Sequence, residues 1–202
     1  MSIKKQPPKR TGLGSIYITS GIFKGQTLTV PKGDTVRPTS NRARQALFDR
    51  LEHSFLNYGF HLRGAQIIDL FAGSGALGLE ALSRGAAQAT FVEHNPISLQ
   101  SLKRNIKILG VEDKTSLLTL DAKTLHAAPQ PYDLALMDPP YESGLADQVL
   151  KILAEKDWMK SSGLMVVETS RNEKIISPIG WDVEDNRAYG RGTLTYLTRS
   201  SS

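Results

Sequence analysis

The stretch that decides the fold is Asp69-Leu70-Phe71-Ala72-Gly73-Ser74-Gly75-Ala76-Leu77-Gly78. Its three glycines form a Gly-x-Gly-x-x-Gly pattern, which follows a short apolar run over 66–71 and precedes a helical apolar pattern over 75–84. Glycines in this position let the backbone approach a ligand at the carboxyl end of a strand, with a helix N-terminus behind it. The stretch therefore predicts a strand, a ligand-binding loop and a helix.

Strand and helix patterns alternate along the rest of the chain. Further strands are predicted over 89–93, 116–120, 132–137, 164–169, 181–183 and 193–198, and further helices over 96–109 and 145–156. Strands separated by helices indicate βαβ units and a mostly parallel sheet covered on both faces. The last two strands lack a helix between them, so we expect a hairpin that makes the last strand antiparallel. The predicted fold is α/β, a Rossmann-like, doubly wound sheet of seven strands.

The chain ahead of this sheet predicts a smaller unit. Alternating residues over 15–30, with Gly21 and Gly25 between them, indicate two short strands. A helical apolar pattern follows over 39–56, and Thr39 or Ser40 can cap it. We expect residues 1–38 to form a basic tail with a small β-hairpin extension, and residues 39–202 to form the main domain.

Composition excludes several classes of function. The 202 residues include no cysteine, which rules out disulfides, a thiolate metal site and a cysteine nucleophile. The four histidines show no metal-ligand spacing, so we expect no metal. No apolar run approaches the ~20 residues of a membrane span. We therefore expect a cytoplasmic protein that does not contact a membrane.

Positive charge is concentrated at the start of the chain. Lys and Arg total 25 against 20 Asp and Glu, which gives a net charge of +5. Within residues 1–44, nine basic residues accompany a single acid, Asp34. This excess fits a partner rich in phosphates, and a merely solvated basic tail is the alternative interpretation.

Three acids follow strands near the glycine loop. Glu93 ends the second strand, where a carboxylate can accept two hydrogen bonds from a ribose diol, so a nucleoside-bearing cofactor is indicated. Asp69 would repel a pyrophosphate but could accept from the ammonium of a methionine moiety, which favours S-adenosylmethionine over NAD. Asp121 follows the third strand and is either a partner for an adenine amino group or a turn residue.

The tetrapeptide Asp138-Pro139-Pro140-Tyr141 follows the predicted strand 132–137. Its prolines stiffen the loop and remove two donors. The Asp138 side chain and the Pro139 carbonyl are acceptors, and Tyr141 has a flat face on which a base can stack. Two acceptors beside a stacking platform fit a planar exocyclic amine, whereas a rigid turn is the structural alternative.

The chain as a whole resembles a known family. The glycine loop and the Asp-Pro-Pro-Tyr motif are similar to those of class I S-adenosylmethionine-dependent methyltransferases. Nearly the whole chain resembles bacterial 16S ribosomal RNA guanine-N2 methyltransferases of the RsmD type. The family-specific features are Arg37-Pro-Thr39, then Arg42-x-Arg44-x-Ala46-Leu47-Phe48, the extension of the glycine loop through Leu-Glu-Ala-Leu-Ser-Arg-Gly85, Phe91-Val-Glu93, Met137 before the tetrapeptide, and Tyr189-Gly190.

The resemblance implies methyl transfer to a guanine N2 of 16S rRNA. The expected acceptor is rRNA in a small-subunit particle, and the expected active form of the protein is a monomer. The cofactor contacts that it implies are Asp69, Phe71, Ala72, Gly73, Ser74, Gly75, Glu93, Asp121 and Asp138. The catalytic residues that it implies are Asp138, Pro139 and Tyr141. Lys9, Arg10, Arg37, Arg42 and Arg44 are expected to hold RNA phosphates.

Other functions fit parts of the sequence. An adenine-N6 DNA methyltransferase or a glutamine-N5 protein methyltransferase would share the fold, but each usually carries an additional recognition domain. A nicotinamide dehydrogenase would explain the glycines and Glu93 but neither Asp69 nor the tetrapeptide. A non-catalytic RNA-binding protein would have no need of the intact Asp138 and glycine loop.

Overall fold

A single seven-stranded sheet is the frame of the molecule. The computed structural model describes residues 16–31, 40–190 and 192–200. The strands are β1 (Gln66–Leu70), β2 (Gln88–Val92), β3 (Thr115–Leu118), β4 (Tyr132–Met137), β5 (Met159–Ser170), β6 (Trp181–Tyr189) and β7 (Gly192–Arg199). The α-helices are α1 (Asn41–His53), α2 (Ala76–Ser83), α3 (Pro96–Leu109) and α4 (Leu145–Glu155), and short 3-10 helices lie at Leu56–Tyr58, Glu112–Lys114 and Ala122–Thr124.

The sheet is parallel except at one end. Its strand order is β3-β2-β1-β4-β5-β7-β6. Strands β1 to β5 pair in parallel, whereas β7 lies between β5 and β6 and runs antiparallel to both. The predicted doubly wound sheet with an antiparallel last strand is confirmed.

Two strands are longer than the sequence predicts. β5 has 12 residues, because its first part pairs with Tyr132 ahead of a register shift between Tyr132 and Leu134. β6 has nine residues, and most of them are exposed and polar. Only its beginning, at Trp181, carries an apolar strand signal, so the rest of β6 depends on its pairing with β7.

Adjacent residues of β1 point into different halves of the core, since side chains alternate along a strand. Ile67 packs in the cluster that contains Phe48 of α1 and Leu79 of α2. Ile68 packs in the cluster that contains Leu150 of α4. The sheet is thus covered on both faces, as predicted.

Helix α3 has the bounds that its end signals predict. Asn95 accepts hydrogen bonds from the backbone N–H groups of Ile97 and Ser98, Pro96 occupies the first turn, and Gly110 ends the helix with φ +63°. Among the helices of the described residues, none is both long and apolar enough to cross a membrane.

The segment 16–31 is built into the core. It folds back on itself with one antiparallel bridge, Tyr17 to Thr27, in place of the two predicted strands. Ile16, Ile18 and Leu28 are buried in the same cluster as the sheet. The segment is therefore part of the main hydrophobic core. The proposed boundary at residue 38 lies outside the described residues and stays a prediction.

Candidate active site

The glycine loop and the Asp-Pro-Pro-Tyr loop begin side by side. Strands β1 and β4 are neighbours, and their last residues, Leu70 and Met137, are register partners. The chain continues from β1 toward β2 on one side of this point and from β4 toward β5 on the other. In open α/β sheets, ligands bind in the crevice that forms where the strand order reverses. Both predicted motifs lie at this crevice.

The glycine loop combines three left-handed residues with internal hydrogen bonds. Phe71, Gly73 and Gly75 have φ of +62°, +55° and +80°. Phe71 is the unusual member, because side-chain-bearing residues rarely adopt this conformation and do so preferentially at functional sites. The Gly75 N–H donates to the Ala72 carbonyl over 2.7 Å, which closes the loop ahead of α2.

The three glycines have different roles. A Cβ on Gly75 would lie 2.4 Å from Leu102 Cδ1, and one on Gly78 would lie 2.4 Å from Phe91 Cε1. These two glycines allow α2 to pack closely against α3 and β2. A Cβ on Gly73 meets nothing nearer than 3.9 Å, so close approach to a ligand is open at this glycine. The sequence interpretation, which assigned ligand approach to the whole motif, is refined accordingly.

Asp69 is almost fully buried at the end of β1, with 1% of its surface exposed. Its Oδ2 accepts a hydrogen bond from the Gly78 N–H over 2.8 Å. Burial raises its pKa well above the usual carboxyl range, the Gly78 bond opposes this, and the negative charges of Asp138 and Glu93 raise it further. Three acidic side chains therefore act on one another in the crevice.

These acids are not grouped as metal ligands. In the described part of the chain, no set of three or more His, Asp or Glu side chains could hold a metal ion.

Glu93 joins the glycine loop to the turn after β2. Its Oε2 accepts from the Gly73 N–H over 2.8 Å, and its Oε1 accepts from the N–H groups of His94 (2.8 Å) and Asn95 (2.7 Å). The side chain is buried. A carboxylate has about four acceptor positions, so these bonds leave capacity for a ligand hydroxyl. The predicted ribose contact stays a prediction.

Asp121 follows β3 and begins the short helix Ala122–Thr124. Its Oδ1 accepts from the Lys123 N–H over 3.0 Å, and its Oδ2 lies 3.3 Å from Lys123 Nζ. The backbone bond is the main cause that holds the pKa of Asp121 below its usual value, and the Lys123 ammonium adds to it. Of the two interpretations of Asp121, the turn residue is seen directly, and the adenine contact stays a prediction.

The Asp-Pro-Pro-Tyr loop is held by bonds to neighbouring segments. Pro139 is buried, whereas Tyr141 is 43% exposed. The Tyr141 hydroxyl donates to Glu168 Oε1 of β5 over 3.1 Å, and the Glu142 N–H donates to Glu173 Oε2 over 3.0 Å. The Tyr141 ring is thus anchored at its hydroxyl while much of its surface faces solvent. This is the arrangement that a stacking platform requires.

The predicted RNA-binding arginines separate into two kinds. Arg42 is exposed at the start of α1 and borders a cavity of about 580 Å³ that Tyr189 also lines. Arg44 is fully buried, with its Nε 3.2 Å from Glu80 Oε2. Its assignment to RNA phosphates is wrong, because the side chain is inside the protein and neutralises a buried acid. Lys9, Arg10 and Arg37 lie outside the described residues.

A buried charge cluster behind the glycine loop has no counterpart in the sequence interpretation. Glu80 on α2 is fully buried and accepts from the Thr19 N–H (2.8 Å), the Thr19 hydroxyl (2.6 Å) and the Ser20 N–H (3.0 Å). Its Oε1 also lies 3.0 Å from Arg84 Nε. The available signal was a Glu and an Arg four residues apart in an otherwise apolar helix. The cluster attaches segment 16–31 to α2.

The strand order and the two adjacent loops together define a class I methyltransferase fold. A family described as Conserved hypothetical protein 95 matches residues 16–198, and the chain belongs to this family. Its relatives include the Ribosomal RNA small subunit methyltransferase D of Buchnera aphidicola, 35% identical over 82% of this chain and 84% of the relative. The protein of the same name from Escherichia coli is 32% identical over 91% of this chain and 90% of its own.

Solved structures agree with this assignment. The putative methyltransferase yhhF from Escherichia coli superposes with a TM-score of 0.80 at 32% identity, covering 94% of this chain and all of that one (100%). A putative methylase from Haemophilus influenzae superposes with a TM-score of 0.75 at 26% identity, covering 93% and 100% of the two chains.

Proposed function

We propose that the protein transfers a methyl group from S-adenosylmethionine to the exocyclic N2 of a guanine in the 16S rRNA of the small ribosomal subunit. The observation that carries the proposal is the alignment of Leu70 with Met137. From these two strand ends the glycine loop and the Asp-Pro-Pro-Tyr loop, which we call the acceptor loop, open into one crevice. The relatives named small subunit methyltransferase D support rRNA as the substrate.

The charges of the crevice suit S-adenosylmethionine better than a dinucleotide. Asp69, Glu93 and Asp138 interact there, and their mutual repulsion contributes to the raised pKa of Asp69. A pyrophosphate would add negative charge to this set, whereas an ammonium and a sulfonium would relieve it. Glu93 and the open side of Gly73 fit the ribose and the adjoining part of the cofactor.

The acceptor loop is suited to activating a weak nucleophile. When bound, S-adenosylmethionine supplies an electrophilic methyl group. The lone pair of guanine N2 is delocalised into the ring, and N–H donation to Asp138 and to the Pro139 carbonyl would localise it at nitrogen. This interaction strengthens as the amine gains positive charge, so it stabilises the transition state more than the ground state. The transfer would form the N2–C bond as the bond between the methyl carbon and sulfur breaks, and the proton that N2 loses would pass to Asp138 or to water.

The remaining parts position the RNA. Tyr141, held by Glu168, supplies a face for a base that has been rotated out of its stack. The exposed Arg42 and the basic residues within 1–37 supply contacts to phosphates. We propose a small-subunit particle as the acceptor and a monomer as the active form.

The test is transfer of label from S-adenosylmethionine. The protein is incubated separately with unmodified small subunits, free 16S rRNA, duplex DNA and release-factor protein, and the label is mapped to an atom. We expect label on a guanine N2 of 16S rRNA. Label on DNA or protein would overturn the assigned substrate, and no label on any acceptor would favour a non-catalytic RNA-binding protein.

A substitution in the acceptor loop tests the mechanism. Asp138→Ala should reduce kcat by about 10²–10³-fold, the typical effect of removing one transition-state hydrogen bond. Asp113→Ala, at an exposed acid in the 3-10 helix Glu112–Lys114, is the control and should leave kcat unchanged. Retained activity of Asp138→Ala would remove Asp138 from the mechanism.

A further inference from the structure

Asn105 of α3 is a fully buried polar residue that joins two distant segments of the chain. Its Nδ2 donates to the Thr29 carbonyl and to the Ser74 carbonyl, each over 2.9 Å, and its Oδ1 accepts from the Thr29 N–H over 2.8 Å. Thr29 lies 76 residues away in sequence and Ser74 lies 31 residues away. Both donors and the acceptor of the amide are therefore used.

The position would otherwise be apolar. The adjacent Ile106 and the buried Leu102 and Leu109 of the same helix all belong to the hydrophobic core. A buried amide is costly unless its hydrogen bonds are made. A leucine would pack equally well on this face of α3. The polar group at Asn105 therefore serves the two segments that it contacts.

One of these segments is the glycine loop. Ser74 lies between Gly73 and Gly75, both with positive φ. The peptide that links Ser74 to Gly75 is held at both ends, since its carbonyl accepts from Asn105 and its N–H donates to Ala72. Between two glycines, which leave the backbone torsions permissive, such bonds decide the orientation of the peptide.

The other segment is 16–31, which packs in the main hydrophobic core. Asn105 bonds both backbone groups of Thr29, as a neighbouring strand would. Through Asn105, the glycine loop is therefore tied to a segment that is itself held on the core.

We propose that Asn105 is a positioning residue that fixes the glycine loop relative to segment 16–31 and so orients the loop for the cofactor. The inference rests on the proposed function, because it assigns S-adenosylmethionine to the glycine loop. It predicts that one substitution, outside the crevice, weakens cofactor binding by more than the loss of stability explains.

The experiment uses Asn105→Asp, which keeps the size of the side chain and the acceptor for Thr29 but replaces the two donated bonds with repulsion. Leu109→Ala is the matched control, since it destabilises the same helix by creating a cavity while leaving every bond of Asn105 intact. The affinity for S-adenosylhomocysteine and the midpoint of urea unfolding are measured for each protein, well below its melting temperature.

We expect Asn105→Asp to lose at least ~10-fold in S-adenosylhomocysteine affinity, whereas Leu109→Ala changes this affinity by less than ~2-fold at a comparable loss of stability. If Asn105→Asp does not fold, Asn105→Ser replaces it, because serine is too short to reach both Thr29 and Ser74. A folded Asn105 variant with wild-type affinity for S-adenosylhomocysteine overturns the inference. Failure of the wild-type protein itself to bind S-adenosylhomocysteine overturns the proposed function instead.

Discussion

Asp69 is a carboxyl group that the fold removes from water and places near two other acids. Its single backbone bond, from the Gly78 N–H, offsets only part of that burial. A group in this state destabilises the empty protein when it is ionised, and a bound cation would relieve the repulsion. The cost is consistent with a residue retained for ligand binding.

Replacement of Asp69 should separate binding from stability. The pKa of Asp69 is raised in the folded state, so its contribution to stability is complete below the unfolded pKa and is lost as the pH rises through the folded pKa. Asp69→Asn keeps the acceptor for Gly78 and removes the charge. We expect urea unfolding at pH 8 to show a more stable protein with a weaker dependence on pH between 5 and 8.

The same variant should bind S-adenosylmethionine about 10- to 100-fold more weakly, which corresponds to the loss of a charge-assisted hydrogen bond of roughly 1.5–3 kcal/mol. Titration calorimetry measures the affinity. A variant that is less stable than the wild type at pH 8, or that binds with unchanged affinity, would contradict this account of Asp69.

Tyr141 and Glu168 should act as one unit. Tyr141→Phe and Glu168→Ala each remove the bond between the hydroxyl and Glu168 Oε1, so each should lower kcat/KM by about 2- to 12-fold, the effect of one hydrogen bond. The double variant should be no worse than the more affected single variant, because both changes remove the same interaction. Additive losses in this double-mutant cycle would show that Glu168 acts independently of Tyr141.

The site residues that the sequence could predict are those tied to strand ends. Asp69, Glu93 and Asp138 each follow an apolar run, and the carboxyl ends of parallel strands share one edge. Arg44 could not be assigned from sequence, because a helix with cations at 42 and 44 does not reveal which of them faces the core. Its partner Glu80 lies 36 residues away, at a separation that no local pattern spans.

At the scale of elements, α2 connects several parts of the site. Its N-terminus follows the glycine loop, its glycine at 78 packs on Phe91, and its buried Glu80 bonds Arg44, Arg84 and segment 16–31. A buried pair of this kind adds little net stability compared with apolar groups, but breaking it leaves uncompensated charge. Its evident effect is to fix how the segment lies on the helix.

Glu80→Gln should therefore be strongly destabilising. The substitution keeps the shape and leaves the buried Arg44 facing a neutral group, whereas Arg84 keeps its pairs with Asp49 and Glu52. We therefore expect the free energy of unfolding to fall by about 3–5 kcal/mol. Glu155→Gln, in the exposed pair with Lys151, is the control and should leave stability nearly unchanged. Equal effects of the two substitutions on urea unfolding would contradict a structural role for the cluster.

Element prediction succeeded where the end signals are local. Asn95, Pro96 and Gly110 mark α3 without reference to the rest of the molecule. β6 is the opposite case: beyond Trp181 its side chains are mostly solvent-exposed, so no alternation of apolar residues indicates a strand. Its length is set by pairing with β7, which is tertiary information.

For the whole molecule, the net charge is +5, and the excess of basic residues lies before residue 45. This distribution predicts an affinity for RNA that falls as the salt concentration rises. Replacing Lys4, Lys5, Lys9 and Arg10 by glutamine should reduce the slope of log affinity against log salt by up to about 3, since each neutralised phosphate contributes about 0.7. RNA binding between 50 and 200 mM KCl measures the slope. An unchanged slope would show that these four residues are solvated and do not contact RNA phosphates.

The position of β7 has a consequence for the order in which the chain becomes stable during synthesis. β7 lies inside the sheet, between β5 and β6, yet it follows both in the sequence. Until it is made, the buried β5 has an open edge and β6 has no neighbour in the sheet. A nascent chain at that stage presents unpaired strand edges, which are templates for aggregation. We therefore expect the growing chain to be most prone to aggregation in the interval between the synthesis of β5 and the insertion of β7.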